Sequence, residues 1–136
     1  LAEHAAGSCL FLADAHPDAV TASLKRLLAE RGAKQLKVDA VKVAHHGSKN
    51  NTDEELVSLI DSRCFLFSTS GAKFKHPDEE VIARILDGAG GRPITLYFNY
   101  LSEFNKKWKA QPLQEKHNYS AIYSDDSEGP LVLTIE

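Results

Sequence analysis

The sequence sets two imidazoles side by side at the end of an apolar run, in Val41-Lys42-Val43-Ala44-His45-His46-Gly47-Ser48. A second apolar run, Ser8-Cys9-Leu10-Phe11-Leu12-Ala13-Asp14, stops at a lone carboxylate. A strand end fixes a side chain rigidly, and the loop beyond it leaves the tip accessible. A carboxylate and an imidazole delivered from two such ends are the donors that zinc, manganese or iron take. Asp14, His45 and His46 are therefore the candidate metal-binding residues. Neighbouring side chains alternate along an extended chain, so only one of the two histidines is expected to ligate directly. His45, nearer the strand end, takes that role, and His46 lines the pocket or supports a ligand by hydrogen bonding. His76, in Phe74-Lys75-His76-Pro77, is the candidate catalytic residue, as a substrate contact or proton donor. Ser68, Thr69 and Ser70 could offer hydroxyls beside it. Plainer roles compete: Asp14 and His76 each precede a helix start and could cap it. His4, His16 and His117 read as ordinary residues.

These residues need a scaffold that gathers them. Residues 8–14 read as a buried strand. His16-Pro17-Asp18 opens a helix with Leu24, Leu27 and Leu28 on one face, and Arg31-Gly32 stops it. A second strand spans 39–44. The next helix starts at 51–55, where Thr52 and Glu55 form a capping box, and Leu56, Leu59 and Ile60 supply its apolar face. A third strand spans 63–68. His76-Pro77-Asp78-Glu79-Glu80 begins a third helix with Ile82, Ile85 and Leu86 facing inward, and a fourth strand spans 94–98. Strand and helix alternate three times, which predicts an α/β fold of βαβ units with a largely parallel sheet. Functional groups in such sheets gather at the strand C-terminal ends, so Asp14, His45 and the 69–76 loop could share one rim.

The tail is less regular. Tyr100, Phe104 and Trp108 recur every four residues, which predicts one helical face, with Lys106, Lys107 and Lys109 interleaved. Residues 119–123 and 131–135 read as closing strands around an acidic turn at 124–129. The lysines and aromatics could hold nucleic acid by charge and stacking; packing of the aromatics on the core with solvated lysines is the plainer reading.

Bulk properties set outer bounds. The 136 residues suit a single domain, 43% hydrophobic and 26% charged. A net charge of −3 gives no global attraction to nucleic acid or anionic lipid, so such a partner needs a local patch. No apolar run approaches the roughly 20 residues that cross a bilayer, and no signal-peptide pattern is read. Cys9 and Cys64 lack metal-type spacing and read as two buried thiols, compatible with a reducing, cytoplasmic setting. The sequence contains no methionine, so it is read as part of a longer protein.

The run Leu10-Phe11-Leu12-Ala13-Asp14-Ala15, the segment from Leu36 through His45-His46-Gly47-Ser48-Lys49, and Ser68-Thr69-Ser70-Gly71 with His76-Pro77 resemble the metallo-β-lactamase-fold hydrolases. The likeness covers about residues 8–87. It is strongest to the branch containing the hydrolase domain of DNA-uptake competence channel proteins. The resemblance implies the C-terminal half of an αββα sandwich that holds two zinc or manganese ions. It implies that Asp14 bridges them and His45 ligates one, with metal-bound hydroxide attacking an ester, amide or phosphodiester. The family's His-x-His-x-Asp-His cluster and third upstream histidine are not among these 136 residues, and Ala13 stands where the family often has Gly. The expected partners are an N-terminal half of the same domain or a second copy, either of which would cover the exposed sheet of a half-sandwich. Nucleic acid is a further expected partner, since the expected substrates are phosphodiesters of nucleic acid or nucleotides. The competing reading is a non-catalytic α/β interaction module that uses Tyr100, Phe104 and Trp108 as its partner surface.

Overall fold

A computed structural model describes residues 1–124 and 131–134. The chain opens with β1 (Ala2–His4) turning into β2 (Gly7–Phe11), followed by α1 (Pro17–Arg31). Pro17 pre-sets the first turn, and Gly32 ends the helix at φ 62°, its N–H reaching back to Ala29 O and Leu28 O. Next come β3 (Leu36–Lys37), β4 (Ala40–Lys42), α2 (Glu54–Ser58), β5 (Ile60–Asp61) and β6 (Cys64–Phe67). The chain continues with α3 (Glu79–Gly88), β7 (Ile94–Phe98), α4 (Gln111–His117) and β8 (Tyr119–Tyr123).

Six strands form one sheet in the order β1-β2-β4-β6-β7-β8, and β3 pairs with β5 in a small second sheet. Only β1 is antiparallel; β2, β4, β6, β7 and β8 run parallel, each beside the strand that precedes it within this sheet. The α/β class and the mostly parallel sheet match the sequence expectation. A parallel neighbour needs a long crossover, and α1, α2 and α3 supply three of them. These helices pack side by side on one face, α1 against α2 and α2 against α3. Leu10, Val41, Phe65, Phe67, Ile94, Leu96 and Phe98 face them and make one buried core with Leu24, Leu28, Leu56, Ile82 and Ile85. The alternation along β7 is clean: Ile94, Leu96 and Phe98 are buried, Thr95 and Tyr97 half-buried.

The alternate residues point to the opposite face and line up in two cross-strand rows. Cys9, Ala40, Cys64, Thr95 and Ser120 are in register, as are Phe11, Lys42, Leu66, Tyr97 and Ile122. This face carries no helix layer among the described residues; Phe11 is 61% exposed and Ile122 39%. The two thiols are free and half-buried, with burial raising both pKa values. They sit two strand spacings apart, roughly 9–10 Å, beyond disulfide reach.

Several local expectations are corrected. The second strand ends at Lys42, short of the predicted 44, because the chain turns at Ala44–Gly47. The cap of α2 is Asp53, whose side chain accepts from Leu56 N at 2.8 Å. Thr52 is buried with its hydroxyl unpartnered, so the predicted capping box does not form. The region 99–110 is a turn and a short 3₁₀ segment at Lys106–Lys109, so Tyr100, Phe104 and Trp108 share no helical face. Trp108 is 7% exposed, while Tyr100 is 46% exposed. Lys107 pairs with Glu79 and lies over the Trp108 ring. Residues 131–134 are not a strand; residue 135 and residues 125–129 of the acidic turn lie outside the described residues.

Candidate functional site

The rim at the strand C-terminal ends is built from three loops, after β2, β4 and β6. The first runs over Leu12, whose N–H donates to Lys42 O at 3.2 Å, and turns at Ala13 with φ 49° to present Asp14 to solvent. The second is the His-His-Gly turn. His45 N donates to Ala13 O at 2.7 Å, which ties the second loop to the first. The third loop, residues 68–78, carries Phe74 and His76 back over the turn.

The turn changes what the histidine pair can do. His45 has φ 39° and His46 φ 60°, both left-handed, and Gly47 follows at φ 91°. The strand has already ended, so strand alternation does not set the directions of the two imidazoles. The two ring centroids are 6.1 Å apart. Left-handed non-glycine residues persist only where the surroundings over-determine them, and they collect at functional sites. Of the five among the described residues, Ala13, His45, His46 and Lys75 lie in the three rim loops; the fifth, Asn118, caps α4.

Each histidine of the pair has its Nδ1 engaged. Asn51 donates through Nδ2 to Ala15 O at 3.1 Å and to Asp14 O at 3.4 Å, which leaves its Oδ1 facing His45 Nδ1 at 3.0 Å. An amide oxygen only accepts, so His45 Nδ1 carries the proton. His46 Nδ1 meets the backbone oxygen of Ser68, again an acceptor, so it too is protonated. In the neutral rings the lone pair then sits on Nε2, the atom a metal or a proton would take.

His76 joins them, its ring 5.8 Å from His45; Phe74 stands 6.1 Å from both. His76 is 12% exposed, and its buried Nδ1 is 3.5 Å from Asp78 Oδ1, too far for a good hydrogen bond. Asp78 is occupied elsewhere. Its Oδ2 accepts from Lys49 N at 2.8 Å and its N–H donates to Gly47 O at 2.9 Å, so the start of α3 grips the histidine turn. This is why α3 starts at Glu79 rather than at Pro77, which is buried beneath Gly47. Arg84 adds bonds from Nη1 to Lys49 O and Thr52 O.

Of the predicted site residues, His45, His46 and His76 come together. Asp14 lies on the adjoining loop, joined to them through backbone and Asn51. Its charge reaches Lys42, whose ammonium is held below its usual pKa by burial, with Asp14 opposing that shift in part. Lys42 Nζ donates to Val43 O at 3.1 Å. Among the described residues, no group of three or more His, Cys, Asp and Glu side chains could hold a metal ion. The predicted hydroxyls brace their own loop: Thr69 Oγ1 accepts from Gly71 N and Ser70 Oγ from Ala72 N. Asn51 and Lys42 escaped the sequence reading. Asn51 stands in Asn50-Asn51-Thr52-Asp53, where every residue also reads as a helix cap, and its reach to Ala15 is visible only in three dimensions.

No helix among the described residues is long and apolar enough to cross a membrane. Comparison of the chain with the descriptions of protein families, with curated proteins and with solved structures finds no match.

Proposed function

We propose that this chain is the C-terminal portion of a metal-dependent hydrolase of the metallo-β-lactamase fold, acting on phosphodiesters of nucleic acid or nucleotides. One observation carries the reading. Adjacent imidazoles sit at the C-terminal rim of a parallel sheet, each with Nδ1 committed to an acceptor and Nε2 left as the free lone pair. Ligating histidines are ordinarily fixed in this way by a partner on the other ring nitrogen. Asp14 on the neighbouring strand end and His76 beside His45 give the same rim a carboxylate and a third imidazole.

The donor set tests the metal directly. A catalytic zinc takes about three protein ligands and a water, and the described residues hold no such group. They do not make a zinc or manganese centre by themselves. In this reading the remaining donors come from an N-terminal portion of the same domain, whose sheet covers the row from Phe11 to Ile122. The chain alone is then expected to bind metal weakly and to turn over no substrate.

The test uses the full-length protein that contains this chain. Bound zinc and manganese and phosphodiesterase activity are measured for wild type, Asp14→Ala, His45→Ala and His46→Ala. Activity is expected to fall by more than about 100-fold in Asp14→Ala and His45→Ala, beyond the range for outer-sphere changes. Unaltered activity and metal content in all three variants refute the reading. The second reading, a non-catalytic interaction module, now draws its support from the open sheet face rather than from the three aromatics. It predicts that outcome, and association of the chain through the Phe11–Ile122 row.

A further inference from the structure

We infer that Asn51 is a positioning residue that holds His45 in the tautomer with a bare Nε2 and locks that imidazole to the Asp14 loop; the inference deepens the hydrolase reading and rests on it for its purpose. Asn51 is 8% exposed, and each polar atom of its side chain is used. Its backbone N–H donates to Ser48 O at 3.1 Å, which fixes where the side chain starts. From there the amide spans two loops, meeting Ala15 O, 36 residues before Asn51, on one side and His45 Nδ1 on the other.

The orientation of the amide follows from its neighbours. Turning it over would set Oδ1 against the carbonyl oxygens of Ala15 and Asp14 and set Nδ2 against His45 Nδ1. Two acceptor pairs would then face each other in a buried place, where unsatisfied groups are costly. The amide therefore donates toward the Asp14 loop and accepts from His45. One residue thus does two things at once: it sets which ring nitrogen of His45 bears the proton, and it ties that ring to the loop that presents Asp14. His46 achieves the first through a backbone oxygen, Ser68 O, which no side-chain substitution removes. His45 depends on a side chain, so its tautomer is open to mutation.

Substitutions separate the two tasks. In Asn51→Asp a carboxylate still accepts from His45 Nδ1 but repels the two carbonyls, so the tautomer is kept and the loop tie is lost. In Asn51→Leu both are lost, and His45 is free to move its proton to Nε2, where an unconstrained imidazole ordinarily carries it. Long-range proton–nitrogen correlation spectra of the 136-residue chain at about pH 8.5, above the usual imidazole range, read the tautomer directly, without metal or substrate. The expected result is Nδ1–H for His45 in wild type and Asn51→Asp, with Nε2–H as the major form in Asn51→Leu. His46 is expected to keep Nδ1–H in all three. Nε2–H at His45 in wild type or in Asn51→Asp overturns the inference, as does an unchanged His45 in a folded Asn51→Leu chain. Should Asn51→Leu fail to fold, wild type and Asn51→Asp still decide it. The readout involves no activity, so a positioned His45 in a protein without hydrolase activity would sink the proposed function and leave this inference standing.

Discussion

Replacing Gly47 with alanine tests the packing that shapes the histidine turn. A Cβ built on Gly47 lies 2.7 Å from Pro77 Cβ and 3.0 and 3.1 Å from the Phe67 ring. Neither neighbour is the free end of a flexible side chain: Pro77 and Phe67 are both fully buried. At φ 91° the backbone also sits where alanine is strained, at about 1–3 kcal/mol. Overpacking a close-packed site adds about 1–3 kcal/mol, which together gives about 2–6 kcal/mol. Gly32 supplies the control. It too has positive φ, at 62°, but nothing lies within 4 Å of its added Cβ. Gly32→Ala should therefore show the backbone cost alone, about 1–2 kcal/mol. With a urea slope near 2 kcal/mol/M, the midpoint for Gly47→Ala is expected to drop by about 1–3 M. Urea melts followed by far-UV circular dichroism on both variants give the comparison. If Gly47→Ala costs no more than Gly32→Ala, the turn is not pressed onto Pro77 and Phe67, and the placement of His45 and His46 loses its support.

Two further outcomes bear on other parts of the fold. Asp53→Ala should destabilise by about 0.5–2 kcal/mol through loss of the α2 cap, whereas Thr52→Val, which removes an unpartnered buried hydroxyl, should be neutral or stabilising; denaturant melts that reverse this order would restore Thr52 as the cap. Burial raises the Tyr119 and Tyr123 phenols from 10 to about 12, with Tyr119 adding to the shift at Tyr123. The folded chain then keeps protons that the unfolded chain releases, so this stabilisation is complete below pH 10 and is lost as pH rises from 10 through about 12. Tyrosinate absorbance and urea midpoints at about pH 8.5 and 11 check it. A Tyr119→Phe, Tyr123→Phe variant with the same alkaline loss as wild type would count against the assignment.

The alternation of apolar runs with capped helices made most of the sheet legible. The hydrophobic period of β7 and the Pro17 and Gly32 punctuation of α1 are local signals, and local signals survive in a bare sequence. The strand ends were legible as places, which is why Asp14, His45, His46 and His76 stand out as candidates in the sequence. Their geometry was not. Whether a histidine pair alternates or turns depends on where the strand stops, and the turn here depends on Gly47 packing directly against Pro77, thirty residues downstream. Asn51 and Asp78 were hidden for a related reason. Each reads locally as a helix cap, and each instead spends hydrogen bonds on another loop. The aromatic spacing at 100–108 misled because Asn105, fully buried, holds Ser102 N and Tyr100 O in a tight loop that a helix would have to break.

Two deficits of this chain meet at one place. Among the described residues, the sheet face without a helix layer exposes Phe11 and Ile122, and the rim above it holds imidazoles and a carboxylate but no complete donor group. Lys42 belongs to both. It lies in the row from Phe11 to Ile122, and its charge interacts with Asp14 at the rim. A second layer laid on that row would bury Lys42 further and strengthen its pull on Asp14, since opposite charges attract more strongly away from water. The same layer would bring its own edge to the strand C-terminal ends, where donors are lacking. Under the proposed function a single covering sheet therefore answers both deficits. Under the interaction-module reading the face needs a cover but the rim needs nothing, and the left-handed His45 and His46, with both Nδ1 atoms tied down, would be strain kept without a use.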